Sequence, residues 1–243
     1  MNMPEYQVRD NIEKHILDLK EWLHTQEHLP LEEMGAFFTA RISDYEKHMM
    51  LWRDGYRIFA RLVPESARDI LDLGCGTGLE LDELFALRKD VSVTGIDLCA
   101  EMLIKLHDKQ PAVLTRCEDY FEAELGENMY DCVITFESLH HFSTEKKLKL
   151  FKKVYRAMKP GGVYLEGDYL ACCQEEEDLL FDFCCRKRAE QGIPEERFIH
   201  FDTPLTVEHE LALLKQAGFS DVKWLMAVEG ASIIRCVKEK GNK

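Results

Sequence analysis

The sequence predicts an α/β fold: a doubly wound, seven-stranded sheet, mostly parallel with an antiparallel last strand, beneath an N-terminal helical cap. Three observations carry this. From Asp69 onward, short apolar segments alternate with amphipathic ones. The first apolar segment runs directly into a glycine-dense turn, Gly74-Cys75-Gly76-Thr77-Gly78, that opens a helix. The last two apolar segments are joined only by a short turn near Glu229-Gly230, so they form an antiparallel hairpin.

The elements follow in order. Val8, Ile12, Ile16, Leu19 and Leu23 recur every three or four residues and mark an amphipathic helix over about 5–25. Pro30 and Gly35 interrupt it, and a second helical stretch runs over about 44–62, ending before Pro64. Both precede the first strand, so they serve as a lid over a site or as a dimer contact. Strands are predicted at 69–73, 92–97, 112–115, 130–136, 162–168, 222–228 and 232–237, and helices at 79–86, 100–106, 144–158 and 206–217. Lys159-Pro160-Gly161-Gly162 stops a helix and turns into the fifth strand. The 243 residues thus divide into a cap over 1–65 and a main domain over 66–243, with an acidic, Cys-rich helical insertion at 169–205.

Composition narrows the function. A formal charge of −14 argues against a phosphate-tracking nucleic-acid surface and leaves a small-molecule partner as the default. Lys146, Lys147, Lys149, Lys152 and Lys153 form the one basic run, read as the solvated face of a helix whose apolar side holds Leu148, Phe151 and Val154. No apolar stretch is long enough to span a bilayer, and residues 1–20 lack a signal-peptide core, so a cytoplasmic protein without a membrane partner is expected. The nine cysteines are odd in number and include no C-x-x-C pair, which disfavours a disulfide framework or a zinc ribbon. Cys75, Cys99, Cys117, Cys132 and Cys236 fall in or beside predicted strands as small hydrophobes. The doublets Cys172-Cys173 and Cys184-Cys185 read as the apolar faces of insertion helices, with a soft-metal or thiol site as the sharper alternative; no metal ligand set is assigned.

The chemistry concentrates in Ile70-Leu71-Asp72-Leu73-Gly74-Cys75-Gly76-Thr77-Gly78. Glycines let the backbone bend and approach a ligand closely, and the following helix N-terminus offers free N–H groups to an anionic group. The spacing is G-x-G-x-G rather than the dinucleotide G-x-G-x-x-G, and Asp72 stands where a pyrophosphate would be crowded but a ligand ammonium welcomed.

At this motif the chain closely resembles the class I S-adenosylmethionine-dependent methyltransferases, over most of 69–237. The resemblance implies a Rossmann-like fold, S-adenosylmethionine as cofactor, and methyl transfer to a small-molecule acceptor with release of S-adenosylhomocysteine. It implies a cofactor site made by Asp72, Gly74, Cys75, Gly76 and Gly78, with Asp97 and Leu98 at the ribose and Met102 near the adenine. Glu118 or Asp119 would receive the adenine amino group, Asp119 being preferred, and Phe136 and Glu137 would line the loop facing the methyl group. Arg41 and Tyr45 would reach the methionyl end. Asp131 reads as a strand-starting residue. Tyr45, His48, Met49 and Trp52 share one helix face, so His48 and Trp52 are candidate acceptor contacts, as are Arg197 and His200 at the end of the insertion, which suit an anionic or aromatic substrate. For a nucleophile that must lose a proton, His140 and His141 are the candidate catalytic residues, a structural role being the alternative. Two other readings stay open: a non-catalytic S-adenosylmethionine-binding regulator, and an NAD(P)-dependent oxidoreductase. Monomer and homodimer are both compatible with the cap.

Overall fold

In the computed structural model, which describes residues 6–240, a helical cap leans over the carboxyl edge of one seven-stranded sheet. The predicted start of the first helix at residue 5 lies outside the described residues. Within them α1 is Ile12–Gln26, opened by Asn11, whose side chain accepts the Lys14 amide. Its buried stripe, Ile16, Leu19 and Leu23, packs with Leu180 and Phe183 of the insertion. The short strand β1 (Glu32–Glu33) and α2 (Met34–Arg41) then fill a stretch for which no element was predicted. The single helix expected over 44–62 is two, α3 (Tyr45–Met49) and α4 (Arg53–Leu62), with a 3-10 turn at Met50–Trp52 between them. The cause is tertiary. Glu229 accepts the amides of Asp54 and Gly55, so a carboxylate far along the chain caps the N-terminus of α4.

The sheet follows: β2 (Asp69–Leu73), α5 (Leu79–Leu87), β3 (Ser92–Asp97), α6 (Ala100–Lys109), β4 (Leu114–Cys117), β5 (Tyr130–Phe136), α7 (Thr144–Ala157) and β6 (Met158–Tyr169). It ends with α8 (Gln174–Gln191), β7 (Ile199–His200), α9 (Val207–Gln216), β8 (Ser220–Val228) and β9 (Ala231–Val237). Strand order is β4-β3-β2-β5-β6-β9-β8, and β9 runs antiparallel to both its neighbours. Strand β7 pairs antiparallel with β1, which ties the insertion to the cap. Two boundaries move. The strand predicted at 112–115 begins later because Val113 closes a turn onto the Gln110 carbonyl. Strand β6 begins at Met158 rather than at Gly162, absorbing Lys159-Pro160-Gly161 as an irregularity opposite Tyr130–Cys132.

Apolar side chains fill both faces of the sheet, with Leu71, Leu73, Val133 and Tyr164 on one and Ile70, Cys132, Ile134 and Leu165 on the other. Asp131 accepts the amides of Arg68 and Asp69 and the ammonium of Lys159, fastening the start of the central strands. Lys147 departs from the expected solvated face. It is fully buried, with Nζ 2.7 Å from Glu210 Oε2, because that face of α7 packs against α9. Cys117 is exposed on edge strand β4, whereas Cys75, Cys99, Cys132 and Cys236 are buried.

Candidate active site

The glycine turn is fixed by its neighbouring strand. The amides of Gly74 and Cys75 both donate to the Ile96 carbonyl, at 2.8 and 3.3 Å. Gly74, Gly76 and Gly78 take φ of +74°, +47° and +74°, the left-handed region that other residues adopt only with strain. At the end of β3, Asp97 binds the turn directly: Oδ2 accepts the Gly76 amide at 2.8 Å and Oδ1 the Cys99 amide at 2.7 Å. Burial raises its carboxyl above the usual range while these amides work to lower it. Between this turn and the cap runs a groove of about 220 Å³, walled by Met102, Asp119, Tyr120, Ser138 and Phe198 among others.

A second, wider cavity of about 750 Å³ opens beside it. All four residues of the predicted cap face, Tyr45, His48, Met49 and Trp52, line it. Phe37 stacks on His200 with centroids 3.4 Å apart, and Arg41 lies over the other side of Phe37 at 3.8 Å while pairing with Glu32 at 2.9 Å. At the floor Asp168 Oδ1 is 2.5 Å from His140 Nδ1, and Asp202 Oδ1 lies 3.6 Å from His140 Nε2 and 3.2 Å from His141 Nδ1. Although burial opposes it, the Asp168 and Asp202 carboxylates raise His140 to about 9. Burial and the adjacent His140 instead lower His141, and burial with His141 drives His200 down to about 3, both shifts favouring the neutral ring. Four residues belong to both spaces: Phe38, Tyr45, Glu137 and His141. Of these Glu137 is the strained one, at φ +50° with a buried, unpartnered Oε1. Burial lifts its carboxyl to about 8.

Residues 70–162 match the family described as a methyltransferase domain. That match takes in the glycine turn, Asp97, Asp119 and the loop after β5. Among similar proteins, a phosphoethanolamine N-methyltransferase of Plasmodium falciparum is 26% identical over 63% of this chain and 54% of its own length. A carboxy-S-adenosyl-L-methionine synthase of Campylobacter fetus is 30% identical over 46% of this chain and 48% of its own. The chain therefore spans about half the length of these relatives. The fold is shared with human N-acetylserotonin methyltransferase in complex with its cofactor, at a TM-score of 0.60 and 21% identity, covering 94% of this chain and 66% of that one.

S-adenosylmethionine is the cofactor that the matched domain points to, and the narrow groove fits it. A Cβ on Gly76 would stand 3.5 Å from Met102 Sδ and 3.7 Å from Tyr45 Oη, filling the space a ligand needs. Gly74, Gly76, Asp97, Leu98, Met102, Asp119, Phe136, Glu137 and Tyr45 all line the groove, as does His141, which also faces the wide cavity. Asp119 also accepts the Phe121 amide, so it holds its own turn while facing the groove. The remaining candidates lie elsewhere. Asp72 is fully buried behind the turn, where burial and then neighbouring Glu80 drive its carboxyl well up. Cys75 packs under Gly95, and Gly78 sits over Leu106 as the left-handed cap of α5. Glu118 is exposed and paired with Arg116 at 2.7 Å. Arg41 lines the wide cavity rather than the groove, and exposed Arg197 lines neither. His48, Trp52, His200 and His140 line the wide cavity alone.

Several lining residues were not anticipated. Phe37, Phe38, Arg9 and Tyr169 line the wide cavity, and Tyr120, whose hydroxyl is 3.2 Å from Ser138 Oγ, lines the groove. The Phe37-Phe38 doublet was a legible signal. Asp168 and Asp202 were not, because nothing local distinguishes them from other strand-end and loop acids.

Proposed function

We propose that this chain transfers a methyl group from S-adenosylmethionine, held in the narrow groove, to a small molecule in the wide cavity. The observation that carries this reading is the shared wall of Phe38, Tyr45, Glu137 and His141, where two ligand spaces meet. Bound S-adenosylmethionine supplies an activated methyl carbon, so the protein's task is alignment and exclusion of water. Asp97 presents two adjacent acceptor oxygens to a vicinal diol, each retaining a lone pair beyond the amide it already accepts. Asp119 and Met102 hold the adenine end, and Tyr45 closes the groove from the cap. On the acceptor side, the His140–His141 floor activates the nucleophile, and the Phe37–His200 stack packs against a flat acceptor. Arg9, whose buried Nε lacks a hydrogen-bond partner, favours an anionic substituent. A charge of −14 and nine free cysteines fit a cytoplasmic enzyme of small molecules rather than of nucleic acid.

The test is calorimetric titration with S-adenosylhomocysteine, repeated on Asp97→Ala. Loss of a charged acceptor facing two hydroxyls should weaken binding roughly 10- to 100-fold. Absence of both heat and thermal stabilisation in folded wild-type protein would sink the reading. Methylated products are then sought by mass spectrometry with a panel of aromatic and anionic acceptors.

A further inference from the structure

The floor of the wide cavity has an arrangement that hydrogen bonding alone does not explain. One oxygen, Asp202 Oδ1, stands between two imidazole nitrogens, 3.6 Å from His140 Nε2 and 3.2 Å from His141 Nδ1. Charge-assisted hydrogen bonds between such groups are shorter, about 2.7–2.9 Å. His141 Nδ1 is buried and makes no hydrogen bond of normal geometry. The three atoms lie within 4.8 Å of one another. Ligand atoms bound at roughly 2.0–2.2 Å around a tetrahedral ion stand about 3.4 Å apart, which is the spacing found between Asp202 and each ring.

Behind them the support is of the kind metal sites use. Asp168 Oδ1 lies 2.5 Å from His140 Nδ1 and Oδ2 accepts the Leu139 amide, so the ring is held with Nε2 directed at Asp202. The carbonyl of His140 accepts the Thr203 amide at 2.7 Å, which pins the Asp202 segment to the histidine pair. The Asp202 side chain keeps 42% exposure because it opens onto the cavity.

We propose that His140 Nε2, His141 Nδ1 and Asp202 Oδ1 form a binding site for a divalent first-row transition-metal ion, with its open coordination position facing the wide cavity. Two imidazoles and one carboxylate suit zinc or iron(II) rather than magnesium or calcium. The site binds metal whether or not the chain transfers methyl groups. Its catalytic use rests on the methyltransferase reading: an acceptor hydroxyl or thiol at the open position is bound more readily as its anion, its proton passing to solvent.

The probe is Co²⁺ added to chelator-treated full-length protein, with Zn²⁺ competition and metal analysis of the protein as isolated. One equivalent of Co²⁺ should give the visible absorption of a low-coordinate site without a thiolate charge-transfer band. Asp202→Asn and His141→Gln should abolish that spectrum, and Asp168→Asn should weaken binding roughly 10- to 100-fold as an orienting residue. Circular dichroism and thermal unfolding establish that each variant is folded, and the wild-type spectrum stands independently of all of them. No stoichiometric binding by folded wild type overturns the proposal. So does binding that survives Asp202→Asn and His141→Gln, and so does a thiolate band, which would place the ion at His15, Cys172 and Glu176 instead. S-adenosylhomocysteine calorimetry on the same samples separates the two readings: metal without cofactor binding defeats the methyltransferase reading alone, and cofactor without metal defeats this one alone.

Discussion

The narrow groove and the wide cavity share a wall but are built differently. The groove rests on the backbone of one strand–turn–helix unit, with glycines in the left-handed region, two amides folded onto Ile96 of β3 and Asp97 gripping Gly76, and side chains such as Tyr45, Asp119 and Phe198 close its walls. The cavity is lined from six separate places, namely the segment before α1, the cap helices, the loop after β5, the end of β6, β7 with the segment after it, and the turn between β8 and β9. Backbone geometry tolerates little change, since a displaced turn has no alternative arrangement. A side-chain cavity can be relined one residue at a time while the scaffold stays intact. On the proposed function, a backbone-based cofactor groove stands beside an acceptor cavity whose lining can change residue by residue.

The contrast breaks most sharply at Gly74. A Cβ there would run into the Ser138 hydroxyl and sit 2.7 Å from Ser138 Cβ, at a φ of +74°. Gly74→Ala should cost about 2–4 kcal/mol of stability and weaken S-adenosylhomocysteine binding by roughly 100-fold or more. Urea unfolding and calorimetry check both numbers. Retention of near-normal affinity would show that the groove is not backbone-determined. Trp52 makes the opposite case, because it lines only the wide cavity. For Trp52→Ala, affinity for S-adenosylhomocysteine should stay within about threefold while the KM of an acceptor rises roughly tenfold. A fall in cofactor affinity comparable to that of Asp97→Ala would merge the two spaces into one.

The same division explains what could be read from the chain. The strands and the glycine turn follow from local rules: apolar alternation, glycine spacing, and an acid at the end of β3. Residues 69–73 and 92–97 were placed to the residue for this reason. The cavity depends on contacts between distant segments. Glu229 capping α4 and the β1–β7 pairing leave no local mark. Lys147 was misread because a lysine in a basic run looks solvated until Glu210, on another helix, is placed against it. Asp202 is invisible until the chain returns it to His140 and His141.

The gentlest probe acts behind Tyr169, which lines the cavity. Glu176 is fully buried at the start of α8, where its carboxylate meets Tyr169 Oη and His15 Nε2, each at 2.5 Å, and accepts the Cys172 amide at 2.6 Å. Burial works to raise its carboxyl, and these partners outweigh it, holding the group below the usual carboxylate range. Its folded value is therefore lower than its unfolded one of about 4.3, so the stabilisation is fully present above that pH and is lost as pH falls through the folded value. Glu176→Gln should lower stability by about 1–3 kcal/mol at pH 7. The gap between variant and wild type should narrow progressively in urea titrations carried below about pH 4.3. Tyr169 lines the wide cavity and not the groove, so S-adenosylhomocysteine affinity should be unchanged at pH 7. A gap that stays constant with pH would mean Glu176 contributes only through shape. A loss of cofactor affinity would mean that the cap and the glycine turn move as one body, and that the two spaces are less independent than their construction implies.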